Sequence, residues 1–338
     1  MINFEYARAT DVAEAVRLIA ADPKAKFIAG GTNLIDLMKY DVERPTRLID
    51  ISRLSLNSVE ATADGRVRIG ALVPNSDLAY HPLIGERYPM LASAILAGAS
   101  AQLRNMASTG GNLLQRTRCY YFYDIATPCN KREPGSGCSA IAGLNRMHAI
   151  LGTSDACIAT HPSDMCIALT ALDAMVHVAG PSGTRAIAFA DFHRLPGDTP
   201  QHDTNLQANE IVTAVELPPL GFPANYTYLK IRDRLSYAFA LVSVAAALEL
   251  DGNTIKDARL ALGGVAHKPW RDPSAEAALR GQAADKEVFM RAAEIVLRDA
   301  KGFEHNAFKI DLARRAIVRA LTQAASGTPQ SQSNKKIR

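Results

Sequence analysis

Residues 26–34 read Lys26-Phe27-Ile28-Ala29-Gly30-Gly31-Thr32-Asn33-Leu34, and this stretch decides the fold. Residues 26–29 have the composition of a strand, the two glycines break it, and apolar residues over 34–38 predict a short helix. A strand that feeds a helix through a glycine turn is the repeating unit of an α/β fold. Glycines let a ligand approach the backbone, and the helix start that follows offers free N–H groups to a phosphate. One such turn carries little weight, because a Gly-Gly pair between strand and helix is more often only a turn.

Working outward, Val12, Ala15, Val16 and Ile19 are spaced for one helix face, with Asp11 placed to cap it. Residues 47–51 supply another strand, which closes a small α/β lobe over about 1–55. A second lobe is predicted over 56–220. Its strands fall at 67–71, 148–151, 157–160, 175–179 and 211–217, and its helices at 88–97 and 163–172, the latter capped by Ser163. Between them, residues 99–144 are irregular and rich in Gly, Ser, Thr, Asn and Pro, and loops of that length inside a domain usually hold something. The breaker cluster Pro218-Pro219-Leu220-Gly221-Phe222-Pro223 ends this first unit of 1–220. Beyond it, strands at 227–231, 239–250 and 254–263, with a turn at 251–253, precede helices at 274–279, 286–299 and 308–324. Three antiparallel strands followed by helices make an α+β domain over 224–325, and 326–338 reads as a flexible tail.

The chain has 338 residues, 48% of them apolar, and a net charge of only +4 with both signs interleaved. No basic stripe marks it for nucleic acid. No apolar run reaches the roughly 18 residues of a membrane span, so no membrane insertion is expected. The N-terminus lacks a basic start and an apolar run, so the expectation is residence in the cytosol or export beside a partner that carries the signal. The five cysteines, Cys119, Cys129, Cys138, Cys157 and Cys166, all fall in one part of the chain. An odd count without a signal argues against a disulfide framework.

Ser108-Thr109-Gly110-Gly111-Asn112-Leu113 is a second glycine turn with hydroxyl and amide donors. Two such loops in one domain strengthen the case for a bound pyrophosphate, while the missing G-x-G-x-x-G argues against an ordinary dinucleotide fold. His161-Pro162-Ser163-Asp164 spans a strand end and a helix start. Asp164 suits sugar hydroxyls, although a first-turn acid behind a helix cap has the same appearance. His161 reads as structural, since no nucleophile pattern surrounds it. The cysteines lack any C-x-x-C pair, and separate single thiols on a folded-back loop suit the spread corners of a cubane. Arg116, Arg118, Lys131 and Arg132 are placed to offset a cluster's negative charge, and Tyr120, Tyr121, Phe122 and Tyr123 to shield it. Spacing alone leaves an iron–sulfur cluster, zinc and scattered buried thiols equally open. Cys166, in an apolar helical turn, reads as a small buried thiol.

At these motifs the chain resembles the FAD-binding medium subunits of molybdenum hydroxylases, the xanthine dehydrogenase and carbon monoxide dehydrogenase group. AGGTNL, RNMASTGGNL, HPSDM, LKIRDRLSYAFALVSVAAALEL and GGVAHKPWR occur in the family's order and cover nearly the whole chain. The resemblance implies a two-lobed FAD domain followed by a small α+β domain. It implies that residues 26–34 (Lys26, Phe27, Ile28, Ala29, Gly30, Gly31, Thr32, Asn33 and Leu34) and Ser108, Thr109, Gly110, Gly111 and Asn112 form the two loops on the FAD pyrophosphate. Asp164 would stand near the ribityl and ribose groups, and Lys230 in the strand that reaches the isoalloxazine. A subset of the family, 4-hydroxybenzoyl-CoA reductase and the bacterial periplasmic aldehyde oxidoreductases, carries an added [4Fe–4S] cluster, and the Cys119 run looks closest to the latter. By that likeness Cys119, Cys129, Cys138 and Cys157 are its ligands. The implied partners are a large molybdenum-cofactor subunit, a small subunit with two [2Fe–2S] clusters and an external electron acceptor. The implied location is the periplasm, reached by co-export. The rival expectations are a stand-alone FAD oxidoreductase and a zinc-stabilised scaffold.

Overall fold

A computed structural model of the chain describes residues 1–219, 221–235 and 237–332. Three sheets organise it. The first holds β1 (Glu5–Arg8), β2 (Ala25–Ile28) and β3 (Arg47–Asp50), parallel throughout in the order β1-β3-β2. Parallel neighbours need crossovers, and the helix Val12–Ala20 supplies one. The Asp11 carboxylate accepts a hydrogen bond from the Glu14 N–H at 2.7 Å, which caps that helix, and Ala15, Val16 and Ile19 turn inward onto Ile49 and Leu54.

The second sheet joins β4 (Val59–Ala61), β5 (Val67–Gly70), β6 (Met175–Gly180), β7 (Gly183–Ala188) and β8 (Ile211–Leu217) in the order β4-β5-β8-β6-β7, all antiparallel. The helices Pro89–Ala97 and Asp164–Ala171 share its core, with Leu91, Ile167, Val176 and Val215 fully closed to water. The Ser163 hydroxyl accepts from the Cys166 N–H at 3.1 Å and so starts the second of these helices. The proline cluster is packed rather than loose. Tyr88 donates its hydroxyl to the Pro218 carbonyl at 2.5 Å, and a Cβ at Gly221 would stand 1.7 Å from the Arg87 carbonyl oxygen.

The third sheet has four strands where three are expected from the sequence. Its members are β9 (Tyr226–Ile231), β10 (Val242–Asp251), β11 (Thr254–Gly263) and β12 (Trp270–Arg271), ordered β12-β11-β10-β9 and antiparallel. The added strand is two residues long, too short for a periodicity to reveal. Helices Pro273–Leu279, Lys286–Leu297 and Phe308–Ala325 cover one face through Phe289 and Ile317. The other face, with Tyr228, Ala245 and Ala261, joins the core of the second lobe. Burial on both faces explains why residues 242–248 are apolar throughout except for Ser243.

Other expectations change as well. Residues 148–151 and 157–160 are not strands. They form a buried loop held by single backbone bonds, from Ala149 to Ile158 and from Ile150 to Val265. Their apolar content reflects burial, which periodicity cannot tell from a strand. The irregular stretch contains helices Ala101–Met106, Thr109–Leu113 and Tyr120–Tyr123, so the second glycine pair sits inside a helical turn. The expected flexible tail is held as far as Gln332. Gln330 accepts from the Thr227–Lys230 edge through its side chain (Lys230 N–H, 2.9 Å), and Gln332 donates to the Tyr228 carbonyl at 3.1 Å. These amides occupy the outer edge of β9, which among the described residues has no further strand to pair with. Residues 333–338 and Leu220 lie outside the described residues. Among the described helices, none is long and apolar enough to cross a membrane.

Candidate cofactor sites

A solvent-open cleft of about 1940 Å³ runs between the two lobes and β9–β10. Of the residues expected at a cofactor, Thr32, Asn33, Gly111, Asn112, Asp164 and Lys230 line it. The others stand behind them. Lys26, Phe27, Ile28 and Ala29 form the strand end that carries the first turn, and the Lys26 ammonium pairs with Glu43 at 3.6 Å. Gly31 has φ +71°, a conformation that favours glycine, and Leu34 opens the helix Leu34–Lys39. A Cβ on Gly30 would stand 1.8 Å from the Met106 carbonyl oxygen, so that glycine lets the two loops pack backbone against backbone. Ser108 accepts from the Gly111 N–H at 3.3 Å, the Thr109 hydroxyl donates to the Val73 carbonyl at 2.9 Å, and Gly110 lies tight on Ala71.

The floor of the cleft is a chain of amides. Asn112 donates to Asn75 at 3.0 Å and accepts from Ser163 at 2.6 Å, while Asn33 accepts from the Arg116 N–H at 2.9 Å. The Nδ2 donors of Asn33 and Asn75 are buried without any partner. Buried donors are nearly always satisfied, so two orphans lining one cleft fit a ligand rich in acceptor oxygens. A side chain at Gly111 would meet only the Ser108 hydroxyl before entering the cleft. These features fit a pyrophosphate lying across the two glycine loops.

Asp164 and Lys230 face each other. The Lys230 Nζ lies 2.7 Å from Asp164 Oδ2 and donates to the Ala97 carbonyl at 3.1 Å. The Tyr228 hydroxyl donates to Asp164 Oδ1 at 2.7 Å, and burial drives its pKa well above the ordinary value, with the Asp164 charge adding to the rise. Asn75 and Tyr228 escaped the sequence reading. Asn75 follows Pro74 with no motif around it, and Tyr228 reads as one alternating strand residue among several.

The four loop cysteines come together. Cys119, Cys129, Cys138 and Cys157 line one small cavity, and Cys129 and Cys138 face each other across a single antiparallel bridge. Cys166 is elsewhere, in the core beside His161 and His193. Polar groups already stand against two of the sulfurs. The Ala159 N–H reaches Cys157 Sγ at 3.4 Å, and His148 Nε2 lies 3.1 Å from Cys119 Sγ. Burial raises Cys119 to about 12 and Cys157 to about 11, so both are thiols until a metal displaces the proton. Burial likewise lowers His148 to about 4 and keeps it neutral.

Of the expected charge-balancing cations, Lys131 acts on the Cys157 thiol, partly opposing the burial that raises it. Its buried ammonium bonds the Pro200 carbonyl at 2.6 Å and Asp203 at 2.5 Å. Arg116 is held by Glu43 and Asp203, Arg118 by Asp36, and Arg132 by carbonyls of residues 121, 122 and 127. Phe122 is buried over the cavity, whereas Tyr120 is exposed and lines the flavin-sized cleft instead.

Residues 2–220 match the family described as FAD binding domain in molybdopterin dehydrogenase, and residues 226–324 the CO dehydrogenase flavoprotein C-terminal domain. The chain belongs to the FAD-binding medium subunits of the molybdenum hydroxylases, and it is an oxidoreductase subunit that binds FAD. It is 52% identical to the aldehyde oxidoreductase FAD-binding subunit PaoB of Escherichia coli K12, over 96% of this chain and 99% of that one. It is 31% identical to the glyceraldehyde dehydrogenase medium chain of Sulfolobus acidocaldarius, over 80% of this chain and 78% of that one. Among solved structures, carbon monoxide dehydrogenase from Hydrogenophaga pseudoflava superposes with a TM-score of 0.76 at 27% identity, covering 96% of this chain and 99% of that one.

Proposed function

We propose that this chain is the FAD- and iron–sulfur-binding electron-transfer subunit of a periplasmic, molybdenum-dependent aldehyde oxidoreductase. The assembly is a heterotrimer with a large molybdenum-cofactor subunit and a small subunit bearing two [2Fe–2S] clusters. Electrons arrive from those clusters and leave to an external acceptor. The supporting observation is the cleft itself, in which two glycine loops, two orphaned amide donors and the Asp164–Lys230 pair face one space. Bound FAD supplies the ability to take electrons singly and release them singly or in pairs. The chain's residues bind and orient it, and none is placed as a general acid or base.

The cysteine cavity supports a [4Fe–4S] cluster over zinc. Among the described residues, no three of these four thiols stand within 4.8 Å of one another. A zinc tetrahedron would hold its sulfurs roughly 3.8 Å apart. The Ala159 N–H at Cys157, His148 Nε2 beside Cys119 Sγ and the buried Lys131 suit an anionic cluster. Similarity to an aldehyde oxidoreductase subunit over nearly the whole chain supports the substrate class.

The test is turnover by the purified complex. Aldehyde added without oxygen should bleach the flavin of this subunit, and an artificial acceptor should restore its colour. A complex that oxidises aldehydes while this flavin stays oxidised would contradict the reading.

A further inference from the structure

One buried group takes no part in either cofactor site. His161, Cys166 and His193 come from three segments, and one ligand atom from each lies within 4.8 Å of the others. All three residues are over nine-tenths closed to water. Their imidazole rings lie 4.3 Å apart between centroids. Cys166 sits in the first turn of the helix Asp164–Ala171, and His193 follows the helix Phe189–Phe192.

Hydrogen bonding fixes one tautomer. His193 Nε2 lies 2.9 Å from the Leu113 carbonyl oxygen, which can only accept, so Nε2 carries the proton. Its Nδ1 is then a bare lone pair, and that atom is buried without a partner. His161 Nε2 is also buried without a partner. A ring nitrogen whose opposite N–H is held by a carbonyl is the usual arrangement of a metal-binding histidine. Burial lowers His193 to about 4 and holds His161 well below its ordinary value, the latter helped by its neighbour His193, so both rings are in the neutral, ligating form.

We propose that His161, Cys166 and His193 hold one thiophilic metal ion, with zinc the ion to test, as a structural tie behind the flavin cleft. Imidazole nitrogens and a thiolate are the donors such an ion takes, at about 2.0–2.1 Å and 2.3 Å. Closing onto it needs the three atoms to reach roughly 3.3–3.8 Å of one another, by small side-chain rotations. On binding, the Cys166 thiol gives up its proton to solvent and its sulfur becomes a thiolate ligand. Burial keeps substrates from the remaining position, so the ion's role is structural. It would tie three segments: Leu113, at the end of the second glycine-loop helix, through His193; His161, beside the cleft-lining Pro162; and Cys166, beside Asp164. This inference does not depend on the iron–sulfur reading, because none of the four loop cysteines takes part.

The test uses the intact complex, purified from zinc-supplemented cells and washed with chelator. Zinc, iron and flavin are measured together in the wild type and in Cys166→Ala and His193→Phe. The expected result is about one zinc per chain, lost in both variants, with flavin and iron retained. Zinc K-edge absorption on the wild type needs no variant and should show nitrogen and a single sulfur around the metal. Absence of zinc from the wild type would overturn the proposal. So would zinc that persists in Cys166→Ala, or an all-sulfur zinc shell, which would place the metal on the loop cysteines.

Discussion

The Lys230 ammonium lies 2.7 Å from the Asp164 carboxylate across the seam between the FAD domain and β9, and both side chains are almost closed to water. Two charges at that depth stabilise each other but cost desolvation, so the pair matters most when one member is missing. Tyr228 completes the carboxylate's shell, and the Ala97 carbonyl takes another Lys230 proton.

Asp164→Asn leaves the Lys230 cation buried without its counter-charge. The expected loss is about 3–5 kcal/mol in urea unfolding, with weaker flavin retention. The double variant Asp164→Leu/Lys230→Met should recover most of that stability. A single variant within about 1 kcal/mol of wild type would show that the pair carries no such penalty.

Gly111→Val places a branched side chain in the cleft with only the Ser108 hydroxyl in its way. The protein should fold, with unchanged circular dichroism, and carry little flavin. Gly30→Val behaves differently, because its Cβ would strike the Met106 carbonyl and part the two loops, so folded yield itself should fall. Normal flavin content in the Gly111 variant would count against the pyrophosphate assignment.

Cys129→Ser should remove the iron–sulfur cluster while sparing most of the FAD. Cys129 lines the separate cavity and is absent from the cleft wall. Iron and sulfide assays with a flavin absorbance decide it, and full iron content in the variant would defeat the ligand assignment.

His148→Phe should keep the cluster and lower its reduction potential. His148 Nε2 stands 3.1 Å from Cys119 Sγ, within hydrogen-bond reach of that sulfur once it ligates the cluster, and hydrogen bonds to cluster sulfurs favour the reduced form. The loop is held rigid for this by Lys309, which donates to the His148 carbonyl at 2.7 Å, and by Asn306. An EPR-monitored titration with an unmoved potential would reduce His148 to a packing role.

Acid should weaken the fold through His267. Burial and the nearby Lys131 lower it to about 4, outweighing Asp203, which lies 3.8 Å away and pulls it upward, as does its bond to the Arg194 carbonyl. The unfolded chain takes up this proton near pH 6.5 and the folded chain only near 4, so stability falls as pH drops through that window. His193, itself neutral over this window, also faces the ring. Urea midpoints at several pH values should show a shallower acid loss in His267→Gln than in wild type. Equal slopes would assign that proton uptake to other groups.

Local pattern carried most of the fold. The Asp11 and Ser163 caps, the helix face of Val12, Ala15, Val16 and Ile19, and the long pairing of β10 with β11 all follow from residues close in sequence. The buried loop around Ile150 and Ile158 imitates strands because burial on every side also yields apolar runs. The site was legible as far as its glycine loops and cysteines. Asn75 and Tyr228 were not, since Asn75 acts on Asn112 and Tyr228 on Asp164 across 37 and 64 positions of chain. Contacts at that separation leave no periodic trace.

The most direct measurement is the cofactor content of this subunit within the anaerobically purified complex, by flavin, iron and sulfide assays with EPR. The account predicts one FAD, plus about four iron and four sulfide held by this chain's cysteines, with an EPR signal distinct from those of the [2Fe–2S] partners. FAD without that iron would contradict the cluster, and absence of FAD from well-folded protein would contradict the account at its centre.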